Sequence, residues 1–200
     1  MFSSSMRRNL LTIAAMVTLT IATAARADAE PTVDDIAPPL PVIVPVASGW
    51  QPMFPPPFDH TRASVTEADV NAEREMCQWY NAQYDTLMDQ VHRFNDNLIR
   101  SNGDYNVANN QQIADALTAN IDQSTAFLAP RAEALTQSRD NFGDVYYPIY
   151  QGESFYLLWQ HLSNVSAGIR GRQPAWFVGP SVQRVMRWGT RINRSHVCRS

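Results

Sequence analysis

The side chains able to do chemistry are scattered along this chain, and their spacing sets what they can do. His92 follows Met88 by four residues, with Tyr84 and Tyr80 one and two helical turns earlier. Histidine, tyrosine and methionine often hold haem iron in secreted carriers. These four residues therefore suggest a small-ligand carrier, for haem or a lipid, or else serve as the packing edge of an amphipathic helix. His161 has no second ligand at helical spacing. The chain holds no His-Glu-x-x-His, Cys-x-x-Cys or EF-hand pattern, so no metal site is expected. Gly152-Glu153-Ser154 opens like a nucleophile elbow, but Tyr156 stands where the closing glycine belongs. Glu153 has no acidic partner for a paired-carboxylate mechanism. No catalytic residue and no cofactor is assigned on this basis, and a hydrolase without a recognisable motif stays an alternative. Two Asn-x-Ser sequences, at Asn164 and Asn193, fall on predicted helices and read as chance.

Two patterns carry more. The chain has two cysteines, Cys77 and Cys198, 121 positions apart. Outside the cytoplasm such a pair is expected to bridge, closing a loop whose lost chain entropy is worth ~4–5 kcal/mol. The other pattern is charge. There is no lysine, all sixteen basic residues are arginine, and no acid follows Glu153, while seven arginines do. Arg184, Arg187, Arg191 and Arg194 recur at i, i+3, i+7 and i+10, one face of a helix opposite Val185, Trp188 and Ile192. A basic amphipathic helix suits anionic lipid or an acidic cell-wall polymer. Nucleic acid is disfavoured by the acidic remainder of the chain and by the export signal described below. The competing reading is internal, with these arginines paired to Asp85, Asp89 and Asp96.

The elements that must position these groups are helical. Val70, Cys77, Tyr84, Val91 and Leu98 repeat every seven residues, with Tyr80, Leu87 and Phe94 three places after members of that series. The spacing predicts one long helix over Ser64–Arg100, with Ser64 and Glu67 as a capping box. Glu67, Asp69, Glu73 and Glu75 crowd its first turns, where the helix dipole favours negative charge. Ser101-Asn102-Gly103 ends it. Ile113, Leu117, Ile121, Ser124, Leu128, Leu135 and Phe142 keep one phase through Pro130. They predict a second long element from about 106 to 141, bent or broken at the proline and antiparallel to the first. A third helix ends near Ile169, with Phe155, Leu158, Trp159, Leu162 and Val165 on its apolar face. A fourth is expected to start at Gly179-Pro180, with proline at its favoured first position. No strand pattern is evident. The expected fold is an all-α bundle of four to five helices built on a long antiparallel αα-hairpin, over residues 63–200.

Arg7 and Arg8, the apolar run from Leu10 to Ala25 and the small-x-small sites ending at Ala27 and Ala29 read as a secretory signal peptide over residues 1–29. No other segment has the length and apolarity of a membrane span. Residues 30–62 follow as a proline-rich arm, with nine of the thirteen prolines between Glu30 and His60. Proline removes donors and fixes φ, so the arm should be extended, as a spacer, a segment folded back on the domain through Trp50, Phe54 and Phe58, or a ligand for a proline-recognising partner.

In its lysine-free, alanine- and arginine-rich composition, signal peptide, proline-rich arm and paired cysteines, the chain resembles the small secreted helical proteins of actinobacteria, mycobacteria especially. The resemblance is one of overall style and transfers no site residue. It implies a non-enzymatic protein of the cell envelope or medium, with a binding or structural role.

Overall fold

The computed structural model describes residues 37–47, 49–54, 65–107, 109–135, 138–139 and 145–199. Residues 1–29, expected as a signal peptide, lie outside these. The chain forms an all-α bundle, as its periodicities predict. Its first rod runs through α1 (Glu67–Trp79), a π-helical turn (Tyr80–Tyr84) and α2 (Asp85–Arg100) without a break. Its capping box uses Thr66 and Asp69, not Ser64 and Glu67: Asp69 N–H donates to Thr66 Oγ1 at 3.2 Å, and Thr66 N–H donates to Asp69 Oδ2 at 2.8 Å. The pattern is the same with the register moved by two, and Ser64 lies outside the described residues. The π turn puts an extra residue into one turn. The heptad seam survives it, with Cys77, Tyr84, Leu87, Val91, Phe94 and Leu98 buried, and Trp79 joins the core as one of its largest side chains.

Glu73 departs from its expected role. It is fully buried, and neither carboxyl oxygen has a hydrogen-bond partner. The reason is phase: Glu73 precedes Met76 and Cys77 by three and four residues, so it shares their inward face.

The second rod, α3 (Asn110–Leu135), is a single helix with Pro130 inside it. Pro130 and Ala126, whose carbonyl loses its donor, are both on the exposed face, where water can replace the missing bond. The helix ends at Leu135, short of the expected 141, and Phe142 lies outside the described residues. Beyond it, Ser138–Arg139 (β1) and Val145–Tyr146 (β2) pair antiparallel, a two-residue ladder that no alternation announces. Contacts between the first two rods pair Gln90 with Asn120 and Glu75 with Arg131. One number falls as the other rises, so the hairpin is antiparallel. Arg131 Nε donates to Glu75 Oε2 at 2.7 Å, and the guanidinium lies 3.8 Å from the Phe127 ring centroid.

Helix α4 (Gly152–Arg170) packs on α3, fastened by Asp122, which accepts from Ser166 Oγ at 2.7 Å and pairs with Arg170. Helix α5 (Ala175–Ser195) packs on α4 and α2, and begins a turn before the expected Gly179-Pro180. Pro174 takes the N-cap position, and the extra turn seats Val178 against α4. The close approach there uses Gly168, where a Cβ would meet Val178 Cγ2 at 2.8 Å.

The described part of the arm docks on the hairpin. Pro38 O accepts from Gln90 Nε2 at 3.0 Å and from Asn120 Nδ2 at 2.8 Å, while Leu40 N–H donates to Asn120 Oδ1 at 3.2 Å. Gln83 donates to Pro41 O, and Gln78 holds both the N–H and the carbonyl of Val46. Ala37 and Leu40 are buried beneath. Proline-rich backbone offers carbonyls and few N–H groups, so side-chain amides are its natural complement. Gln83, Gln90 and Asn120, each at most 4% exposed, have the polar partners that burial demands. Cys77 and Cys198 form a disulfide, tying the chain's last residues to α1.

Candidate functional site

The arginine stripe on α5 stays open to solvent. Arg184, Arg187, Arg191 and Arg194 are all exposed, while Val182, Val185 and Ile192 point into the core. Trp188 is not opposite the arginines as its spacing suggested. It sits half-buried at the edge of their stripe, with the guanidinium carbons of Arg187 and Arg191 each 5.4 Å from its ring centroid. At 100° per residue, Trp188 falls between Arg191 and Ile192, so it belongs to both faces. Cation–π contact of this kind holds two guanidinium groups without consuming their charge.

Arg187, Arg191 and Arg194 line one cleft of about 510 Å³ together with Tyr150, Gln151 and Thr190. Gln151 takes a left-handed φ of 63° at the start of α4, which turns the connector from Tyr150 back toward α5. Phe54 of the arm lies on Tyr150, with ring centroids 4.5 Å apart, so the arm buttresses the cleft wall. The aromatic run Tyr146–Tyr150 is conspicuous in sequence, but nothing in it indicates that Tyr150 and Gln151 would face α5.

The internal pairing expected as the alternative is not formed by the described residues. Asp89 pairs with Arg93 on its own helix at 2.8 Å. The acid that meets the α5 stripe is Glu153, 3.3 Å from Arg191, and both side chains are about half exposed. A pair so solvated is worth ~0–1 kcal/mol. Arg184 stands apart from the cleft and faces α4, where burial first and the Arg184 charge second hold His161 below its usual range. The structure therefore brings three of the four arginines into one site and leaves the fourth beside it.

The small-ligand set packs differently from a binding cavity. Tyr80 and Tyr84 stack at 4.7 Å, and their hydroxyls donate to the α5 carbonyls of Gly189 at 2.8 Å and Val185 at 3.4 Å. Burial, with Asp85 adding to it, pushes Tyr80 up to about 12. Burial and the neighbouring Tyr80 and Asp85 raise Tyr84 as well, so both remain protonated donors. Met88 is buried in the core and His92 sits at its edge. These tyrosines clamp α5 to the π turn, and their hydroxyls are already engaged. Among the described residues no cluster of three metal-ligating side chains occurs, and no helix is long and apolar enough to cross a membrane.

No protein-family model, curated protein or solved structure matches this chain.

Proposed function

We propose that this is an exported, non-enzymatic protein of the cell envelope or extracellular medium that docks on an anionic surface through α5. The observation that carries the reading is the convergence of Arg187, Arg191 and Arg194 on one open cleft, with Glu153 as a weak and solvated counter-ion. From Arg184 to Arg194 the stripe spans roughly 15 Å at ~1.5 Å per residue. A linear array of that length complements repeated phosphate or carboxylate groups better than one small ion. Export is supported by the signal-like N-terminus, and the Cys77–Cys198 disulfide is compatible with an oxidising compartment. The overall resemblance to secreted helical proteins of actinobacteria points the same way.

The test is sedimentation of the oxidised protein with anionic and with neutral vesicles across a salt series, with soluble polyphosphate as competitor. Binding to anionic vesicles should fall steeply with salt. At ~1 kcal/mol per basic residue near the surface, Arg187→Ala/Arg191→Ala should weaken it by roughly 30-fold. Tighter binding to polyphosphate than to vesicles would identify a polymer as the target. No salt-sensitive binding to either, or undiminished binding by the double variant, would defeat the proposal.

A further inference from the structure

We propose a second and separate anion site beside the disulfide, in which Arg74 and Arg199 receive a small ligand bearing a carboxylate or phosphate group. A cleft of about 500 Å³ opens where three parts of the chain meet: Trp50 of the arm, Arg74, Cys77 and Gln78 of α1, and Arg199 at the chain's end. That volume lies within the range of small-molecule pockets.

Arg74 Nε is buried and has no hydrogen-bond acceptor. Its helical neighbours three and four residues away are Val70, Asn71, Cys77 and Gln78, none of them acidic. Glu75, next in sequence, is turned away and held by Arg131. Arg199 has no ion pair among the described residues. Its position is nonetheless set, because Cys198 is bonded to α1 and its carbonyl accepts from Asn81 Nδ2 at 2.9 Å. Of the uncharged polar side chains around the cleft, Gln78 is held by Val46 and Asn81 by Cys198, while Gln51 is exposed at the rim.

The charged groups of the cleft are two guanidinium groups, one of them with a desolvated donor that meets no acceptor. A buried unsatisfied donor is costly, and two like charges in one cleft repel each other. An oxyanion relieves both, and planar guanidinium suits the paired oxygens of carboxylate and phosphate. Trp50 supplies an aromatic wall for the body of the ligand. Because the arm, the helix and the disulfide-held tail each contribute, the site exists only in the oxidised, arm-docked protein.

The test follows the Arg74 Nε–Hε resonance by nitrogen-15 NMR on the oxidised full chain. Inorganic phosphate and, separately, acetate are added at constant ionic strength in chloride. We expect a saturable shift of Arg74 with at least one of the two anions, and the anion that gives it defines the group recognised. Arg199→Gln, at an exposed position, should weaken binding by about tenfold, the worth of one charge-assisted contact. Arg187→Ala/Arg191→Ala should leave it unchanged, which separates this site from the α5 stripe. No saturable shift with either anion, an affinity unchanged by Arg199→Gln, or one equally weakened in the α5 double variant would overturn the proposal.

Discussion

Gly189→Ala is the substitution whose outcome the packing defines most sharply. On helix propensity alone it should stabilise an α-helix by ~1 kcal/mol. The structure predicts the reverse. A Cβ at position 189 falls inside the van der Waals envelope of Tyr84 Oη and Cζ and lies 2.7 Å from Cε2. The ring has little room to retreat, being 7% exposed, stacked on Tyr80 at 4.7 Å and edge-on to Trp79 at 6.3 Å. Forcing it aside incurs overpacking of ~1–3 kcal/mol, loss of the hydrogen bond to Val185 at ~1 kcal/mol, and part of an aromatic contact worth ~0.5–1.5 kcal/mol. After the propensity gain is subtracted, a net loss of roughly 2–3 kcal/mol remains, or about 5–10 °C in Tm for a domain of this size. Urea denaturation and a thermal melt followed by circular dichroism measure it. Tyr84→Ala supplies the control: in that background Gly189→Ala should cost nothing, and should gain up to ~1 kcal/mol. A raised Tm for Gly189→Ala in the otherwise native protein, or an equal cost in both backgrounds, would refute the reasoning.

Burial pushes the Glu73 carboxyl up to about 8 from an ordinary 4.5, so the folded protein holds a proton there that the unfolded chain releases. That contribution is complete below about pH 4.5 and is lost as pH rises toward 8, the loss amounting to about 3 kcal/mol at pH 7. Glu73→Leu should therefore flatten urea-denaturation stability over this range and raise it at pH 7; an unchanged pH profile would count against a buried neutral acid. Removing the disulfide with Cys77→Ser/Cys198→Ser should cost ~4 kcal/mol by denaturant unfolding. A loss below ~1 kcal/mol would mean that the last residues are held mainly by packing. Asn120→Ala removes contacts to Pro38 and Leu40, and should cost ~1–3 kcal/mol. It should also speed amide exchange at Leu40 while leaving the α4 amides protected. Uniform loss of protection would show that the arm and bundle unfold as one unit.

The bundle was legible from sequence because its long elements carry local, repeated signals. The seven-residue seam of the first rod and the single phase of Ile113 to Leu135 need nothing from the rest of the chain to predict two helices. A short linker between them dictates an antiparallel hairpin. The burial of Glu73 is also written in its spacing to Met76 and Cys77, which places it on the seam, although a carboxylate in the first turns equally suits the helix dipole. The α5 arginines announced themselves by period and by the absence of acids after Glu153. Other features depended on contacts between residues far apart in sequence. Whether the arginines would be neutralised rested on where Asp85, Asp89 and Asp96 point, which the rotation of the first rod decides. Docking of the arm required Gln83, Gln90 and Asn120 to meet carbonyls some forty to eighty positions earlier. The cleft of Trp50, Arg74 and Arg199 assembles from both ends of the domain. Periodicity is a property of neighbours along the chain, and so the sequence alone determined the helices and their amphipathic faces. Which polar groups become buried, paired or left open is decided by surfaces that meet only on folding, and so it fell to the tertiary structure.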